Sequence, residues 1–198
     1  HPKKDLIDNL SGRVHMLSDG PTKDDDQVER ILVAFELKDA AKAKAVLAGA
    51  AGRPGVKGKP RQFQGETIYE VASGNGTVSI SVAAGHLLVS SDAKLLEGVI
   101  QPDKKKPRLA DAADYKRYST RFPGKTSILS FQRQDTRIRS AYEALRTARA
   151  SSIIPDIDFG KLPPFDVISK HMSASASYAI PDARGAYFFS YSLTGDEK

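Results

Sequence analysis

The apolar positions of this chain keep switching between two periods. Val78, Ile80 and Val82 alternate with Ser79 and Ser81, the two-residue period of a strand with one buried face and one wet face. Ile138, Tyr142 and Leu145 recur at i, i+4 and i+7, which marks a single helical face. Three junctions carry both patterns in succession: an apolar run stops at an aspartate and a helix begins there, at Asp39, Asp92 and Asp135. Aspartate suits that place because its side-chain oxygen accepts from the free amides of the first helical turn, and its charge opposes the positive end of the helix dipole. Helices are therefore predicted after each of the three, carrying Val46 and Leu47, then Leu95, Leu96, Val99 and Ile100, then Ile138, Tyr142 and Leu145. Two more are predicted over 109–122, ended by Pro123-Gly124, and over 165–172 after Pro163-Pro164.

Strands over 66–72, 77–82 and 86–91, joined by Gly74-Asn75-Gly76 and Ala83-Ala84-Gly85, read as an antiparallel meander. Residues 126–132 add a strand, and Pro181 to Gly185 form the turn of a final hairpin. Loops fall at 20–29, 52–61, 101–108 and 151–162. The irregular alternation predicts an α+β fold, a largely antiparallel sheet with helices packed on one face.

Two distant stretches read as one unit, a short helix running into a strand. Leu6 and Ile168 match, as do Leu10 and Met172, Gly12 and Ala174, Val14 and Ala176, Met16 and Tyr178, and Ser18 and Ile180. Each unit is followed by a second apolar strand, Arg30 to Lys38 or Gly185 to Leu193, so an internal pseudo-repeat is expected. The match keeps apolar positions and no polar site, since His15 falls opposite Ser177.

At 198 residues the chain suits a single domain spanning 1–198. Its 40% apolar and 27% charged residues lie in the globular range, and no apolar run nears the roughly 20 residues that span a bilayer. It begins at a histidine without a basic-then-apolar leader, so a fragment of a longer precursor is expected. The absence of cysteine excludes disulfides, thiolate metal sites and cysteine nucleophiles. A net charge of +6 favours contact with polyanions.

Histidine is the first place to look for acid–base chemistry, and His15, His86 and His171 are far apart in sequence. No glycine-framed serine accompanies them, and they lack the i, i+4 spacing of paired metal ligands. Asp24-Asp25-Asp26 lacks the alternation of a calcium loop, and Asp156 and Asp158 rate no higher. Gly52 to Pro60 approaches a phosphate loop, but Gly52 to Gly58-Lys59 is one residue too long and Pro60 replaces the required hydroxyl, so it reads as a flexible connector. Asn9-Leu10-Ser11 and Asn75-Gly76-Thr77 match the glycosylation pattern. No catalytic set, metal or cofactor is predicted. The candidate anion-binding residues are Arg53, Lys57, Lys59 and Arg61 in one loop and Lys104, Lys105, Lys106 and Arg108 in another, with Arg137, Arg139, Arg146 and Arg149 along the helix after Asp135. No stacking aromatics interleave with them, as single-strand nucleic-acid binders require.

The runs Gln27 to Asp39, Gln62 to Val71 and Ser130 to Asp135, with the C-terminal hairpin, resemble uncharacterised exported proteins of planctomycete-type bacteria. Those proteins look like relatives of a broader bacterial family of unknown function, built from repeated helix and strand units. The resemblance implies export to the periplasm or cell envelope and no established site residues. The expectation is a non-enzymatic binding or structural module whose partner is an envelope protein or an anionic polymer, with nucleic acid unfavoured. The alternatives are a polyanion-binding module acting through the basic loops and a hydrolase with His15, His86 or His171 beside a carboxylate.

Overall fold

A computed structural model describes residues 2–19, 29–51, 58–74, 76–105, 107–147 and 158–193. The chain divides into two compact units, His1–Lys106 and Pro107–Lys198. The architecture is α+β with antiparallel sheets, as the two hydrophobic periods predict, but the strands form two sheets instead of one.

The first unit runs α1 (Pro2–Ile7), β1 (Leu10–Asp19), β2 (Arg30–Leu37), α2 (Ala40–Ala51), β3 (Gly58–Phe63), β4 (Glu66–Ser73), β5 (Gly76–Ala83), β6 (His86–Ser90) and α3 (Ala93–Ile100). Its sheet has the order β1-β2-β6-β5-β4-β3. Strand β6 lies across β2 and β5, with Leu87 opposite Phe35 and Val82, and Leu88 opposite Ala34 and Ser81. Neighbouring side chains on a strand point to opposite faces, so Leu87 and Leu88 enter different cores. Leu87 packs with Val82 and with Ala43 of α2, beside Phe35, Leu37, Leu47 and Leu6. Leu88 packs with Leu32, Ala34, Ile68 and Leu96 of α3, beside Phe63 and Val99. The expectation of helices on one face is thereby corrected: α2 and α3 take opposite faces, because β2 and β6 are apolar at successive positions and need cover on both sides.

The wet face expected of β5 is also corrected. Ser79, Ser81 and Ser90 are buried. Serine is small enough to let α3 approach, and the Ser81 hydroxyl donates to the Thr67 carbonyl at 2.9 Å while that of Ser90 donates to the Asp92 carbonyl at 2.8 Å. Residues 58–61, read as the end of the loop 52–61, belong to β3 instead. Pro60 fits there because, among the described residues, β3 pairs with β4 alone, and its outer edge needs no amide. The β5–β6 turn is a two-residue loop with Ala84 and Gly85 both at positive φ (49° and 76°), the twist that suits a tight hairpin.

Two of the three aspartate junctions cap helices. Asp92 Oδ1 accepts from Leu95 N at 2.6 Å and Asp39 Oδ1 from Lys42 N at 3.0 Å. Asp39 is held in turn by the buried Asn9, whose amide donates to the Asp39 carbonyl (2.6 Å) and accepts from the Asp39 amide (2.8 Å). Asn9, a nominal glycosylation position, is thus committed to the β2–α2 junction. Asp135 lies inside a helix that begins at Gln134, and it pairs with Arg133 at 2.9 Å instead of capping.

The second unit runs through a 3-10 turn (Leu109–Asp111), α4 (Ala113–Ser119), β7 (Ile128–Gln132), α5 (Gln134–Arg146), α6 (Phe165–Ile168), β8 (Ser175–Asp182) and β9 (Gly185–Ser192). The helix expected over 109–122 is broken at Ala112, which is extended (ψ 132°). The sheet order is β7-β8-β9. Tyr118 of α4, buried, ties it together: its hydroxyl donates to the Ala174 carbonyl and accepts from Leu193 N at 2.9 Å, and its carbonyl accepts from the Tyr191 hydroxyl at 2.8 Å. Burial pushes the Tyr191 phenol up from its ordinary range.

Replacing Leu88 by Ala removes fully buried methyl groups from the centre of the first sheet and is expected to cost about 2–5 kcal/mol in urea unfolding, the usual range for such a truncation.

Candidate functional site

The first sheet brings together polar groups that the sequence holds apart. Glu36 of β2 lies opposite His86 of β6, and His15 of β1 lies opposite Ala34, two residues along the same face. The His15 and His86 rings meet edge to face with centroids 5.5 Å apart. The Ser11 hydroxyl donates to Glu36 Oε2 at 2.6 Å, and Arg13 Nη1 lies 3.5 Å from Glu36 Oε1. His86 Nδ1 sits 2.7 Å from the Ala84 carbonyl, which fixes the ring across the β5–β6 turn.

This arrangement is a polar patch on an open strand face. Ser11, Arg13 and His15 are exposed, and Glu36 and His86 half-buried. The Ser11 hydroxyl, followed by Arg13 and the two histidines, holds the Glu36 carboxyl below the usual carboxylate range against a smaller opposing effect of desolvation. The carboxylate is thus already engaged as an acceptor. His171, the third candidate, lies exposed in a 3-10 turn (Ser169–His171) of the second unit. Sequence reasoning missed Glu36 and Ser11; the available signal was strand alternation, which puts Glu36 on the face of Ala34 and therefore of His15. Among the described residues no three of His, Asp and Glu are grouped as a metal ion would require.

The basic candidates are dispersed. Arg53, Lys57 and Lys106 lie outside the described residues, and Lys59 is placed only as a backbone position of β3. Arg61 binds two carboxylates, Glu70 of β4 at 2.7 Å and Glu97 of α3 at 2.5 Å. Those bonds raise its pKa further above the ordinary guanidinium range. Arg108 pairs with Asp111 at 2.8 Å and lowers that carboxyl. Lys104 and Lys105 are exposed, and Lys104 lines an open depression with Gln101, Pro102 and Asp103. In the second unit Arg139 bonds Asp166 at 2.9 Å and stacks 4.5 Å over the Phe165 ring, while Arg146 donates to the Leu162 carbonyl at 3.2 Å. Two other arginines read as candidates, Arg137 by its side chain and Arg149 entirely, lie outside what is described. The acidic run Asp24 to Asp26 and Asp156 lie outside it as well, and Asp158 caps a 3-10 turn by accepting from Gly160 N.

Large apolar side chains are also exposed on strands. In β1 these are Val14, Met16 and Leu17; in β9 they are Tyr187, Phe188 and Phe189. Among the described residues no helix is long and apolar enough to cross a membrane.

Glu36→Gln removes a carboxylate whose pKa is lower in the folded than in the unfolded chain. Such a group stabilises the fold above the unfolded value, and the contribution is lost as pH falls through the folded value. The variant is expected to unfold at lower urea than the parent at about pH 7, with the gap narrowing as pH falls below the ordinary carboxylate range.

A model of the family described as "Protein of unknown function (DUF3352)" matches residues 12–145. No curated protein and no solved structure matches the chain.

Proposed function

The chain belongs to the DUF3352 family of proteins of unknown function, and from that premise we propose that it is a non-enzymatic binding or structural module of an exported, cell-envelope bacterial protein built from repeated helix and strand units. The observation that carries the reading is the exposure of apolar side chains on strands: Met16 and Phe188 are each 72% exposed, at positions where the backbone is paired to a neighbouring strand. Large apolar side chains held out from paired strands in this way support contact with another polypeptide. The polar groups support the same reading, since Glu36, Arg61 and Arg139 are spent on partners within the fold. Export rests on the resemblance of the runs Gln27 to Asp39 and Gln62 to Val71 to exported planctomycete-type proteins.

The test is fractionation of producing cells with crosslinking in place. The parent chain is expected in the envelope fraction, in crosslinked species that Met16→Asp with Phe188→Asp removes. Recovery in the cytosol overturns export, and crosslinks indifferent to both aspartates overturn the contact surface.

A second reading, polyanion binding, draws on Lys104 and Lys105, exposed side by side at the end of the first unit. Arg61 and Arg108 contribute less to it than their sequence suggests, because both already hold carboxylates. Retention of the full chain on heparin is expected to fall with salt, and neutralising Lys104, Lys105 and Lys106 to Gln to reduce the salt slope by about 2–3. A slope unchanged by those substitutions sets this reading aside.

A further inference from the structure

The hairpins β1–β2 and β8–β9 lie on one another by their own registers. Val14 opposite Phe35, Met16 opposite Val33 and Ser18 opposite Ile31 correspond to Ala176 opposite Tyr191, Tyr178 opposite Phe189 and Ile180 opposite Tyr187. Each hairpin is preceded by a short helix, α1 or α6 with its 3-10 extension. What differs is the outer edge. Strand β8 is covered by β7, with Phe131 opposite Ala176, Leu129 opposite Tyr178 and Ile128 opposite Ala179, and Tyr118 of α4 packs on Ala176, which is 2% exposed. On β1, an edge strand, the equivalent Val14 is 54% and Met16 72% exposed.

We infer that the outer edge of β1, unpaired among the described residues, is a docking edge for a helix–strand segment of the α4–β7 kind, supplied by another unit of the same architecture. The inference rests on the structural-module reading and names its partner. Carried over in the register of β7 on β8, Ile128 falls opposite Leu17, Leu129 opposite Met16 and Phe131 opposite Val14, while Ser130 falls opposite His15. Apolar meets apolar and polar meets polar at every position, the pairing that stabilises adjacent strands. The incoming helix would lay its equivalent of Tyr118 over Val14, as Tyr118 lies over Ala176. Main-chain hydrogen bonds to an open strand edge supply affinity in strand addition, and side-chain register supplies choice of partner.

The other hairpin lacks the complementary half. The outer edge of β2 is covered by β6, and Leu32 is 3% exposed in the core beneath α3; Phe188, its equivalent on the edge strand β9, is 72% exposed. Each hairpin thus shows covered the edge that the other shows bare. Units joined through these edges form a row in which each closes its neighbour, as in proteins built from stacked repeats.

Placing a duplicate of residues 107–162 directly ahead of residue 1 reproduces, for β1, the spacing that separates β7 from β8. In hydrogen exchange of the purified duplicated chain, those amides of residues 14–17 that face away from β2 are expected to slow by about tenfold or more relative to the parent, the signature of a newly paired edge. Val14→Lys with Met16→Lys in the duplicated chain is expected to restore parental exchange. Both side chains are exposed, and unchanged protection of β5 and β6 verifies that the variants fold. Parental exchange at 14–17 in the duplicated chain, or protection that survives both lysines, overturns the inference. The measurement needs no cellular compartment or outside partner, so its failure is separate from a failure of export or of the contact surface.

Discussion

Strand β6 is five residues long and has a helix on each side of it, with Leu87 in the core under α2 and Leu88 in the core under α3. A strand buried on both faces has no solvent side on which to place polar groups, so its neighbours supply small ones. Ser79, Ser81 and Ser90 fill the face under α3, and the hydroxyls of Ser81 and Ser90 find carbonyls, which avoids the cost of an unpaired polar group in a dry layer. The strand order follows from the same requirement. The hairpin β1–β2 and the meander β3–β6 join through β2 and β6, the two strands that are apolar at successive positions.

The second unit solves a smaller version of the problem with one side chain. Tyr118 closes the end of β9 and the approach to β8 through its hydroxyl and its carbonyl, and its ring stacks on Tyr191 at 5.5 Å. An aromatic suits this place because it buries a large area and still offers a polar tip to backbone groups. A three-stranded sheet has two edges and only one interior strand, so most of its apolar side chains cannot be enclosed from within. That is where Ile128, Leu129, Tyr187, Phe188 and Phe189 remain exposed.

Much of this was legible in the chain. Period-two runs located the meander and both hairpins, and aspartates 39 and 92 marked true helix starts because capping is a local hydrogen bond between residues three apart. Asp135 also marked a true helix, but α5 begins one residue earlier, at Gln134, so its carboxylate sits in the first turn and pairs with Arg133 instead of capping. Strand β3 escaped notice because glycine and proline outweigh two alternating positions in any local count, and only the neighbouring β4 makes an edge strand of that composition stable. The serines of β5 read as solvent-facing because a hydroxyl looks polar until a helix is laid over it. Of the candidate site, the three histidines were named from composition, whereas the pairing of His15 with His86 and both with Glu36 depends on β1, β2 and β6 lying side by side, separated in sequence by as many as 71 positions.

The chain alone therefore determined the elements, their alternation and the likeness of its two ends, because those depend on interactions between residues a few positions apart. Only the tertiary structure decided which faces are buried, which charges are already spent and which strand edges stay open. Burial, ion pairing and edge pairing are properties of what lies across from a residue: of Leu32 and Phe188, equivalent in their hairpins, the first is buried with β6 and α3 beside it and the second is exposed on an edge strand among the described residues.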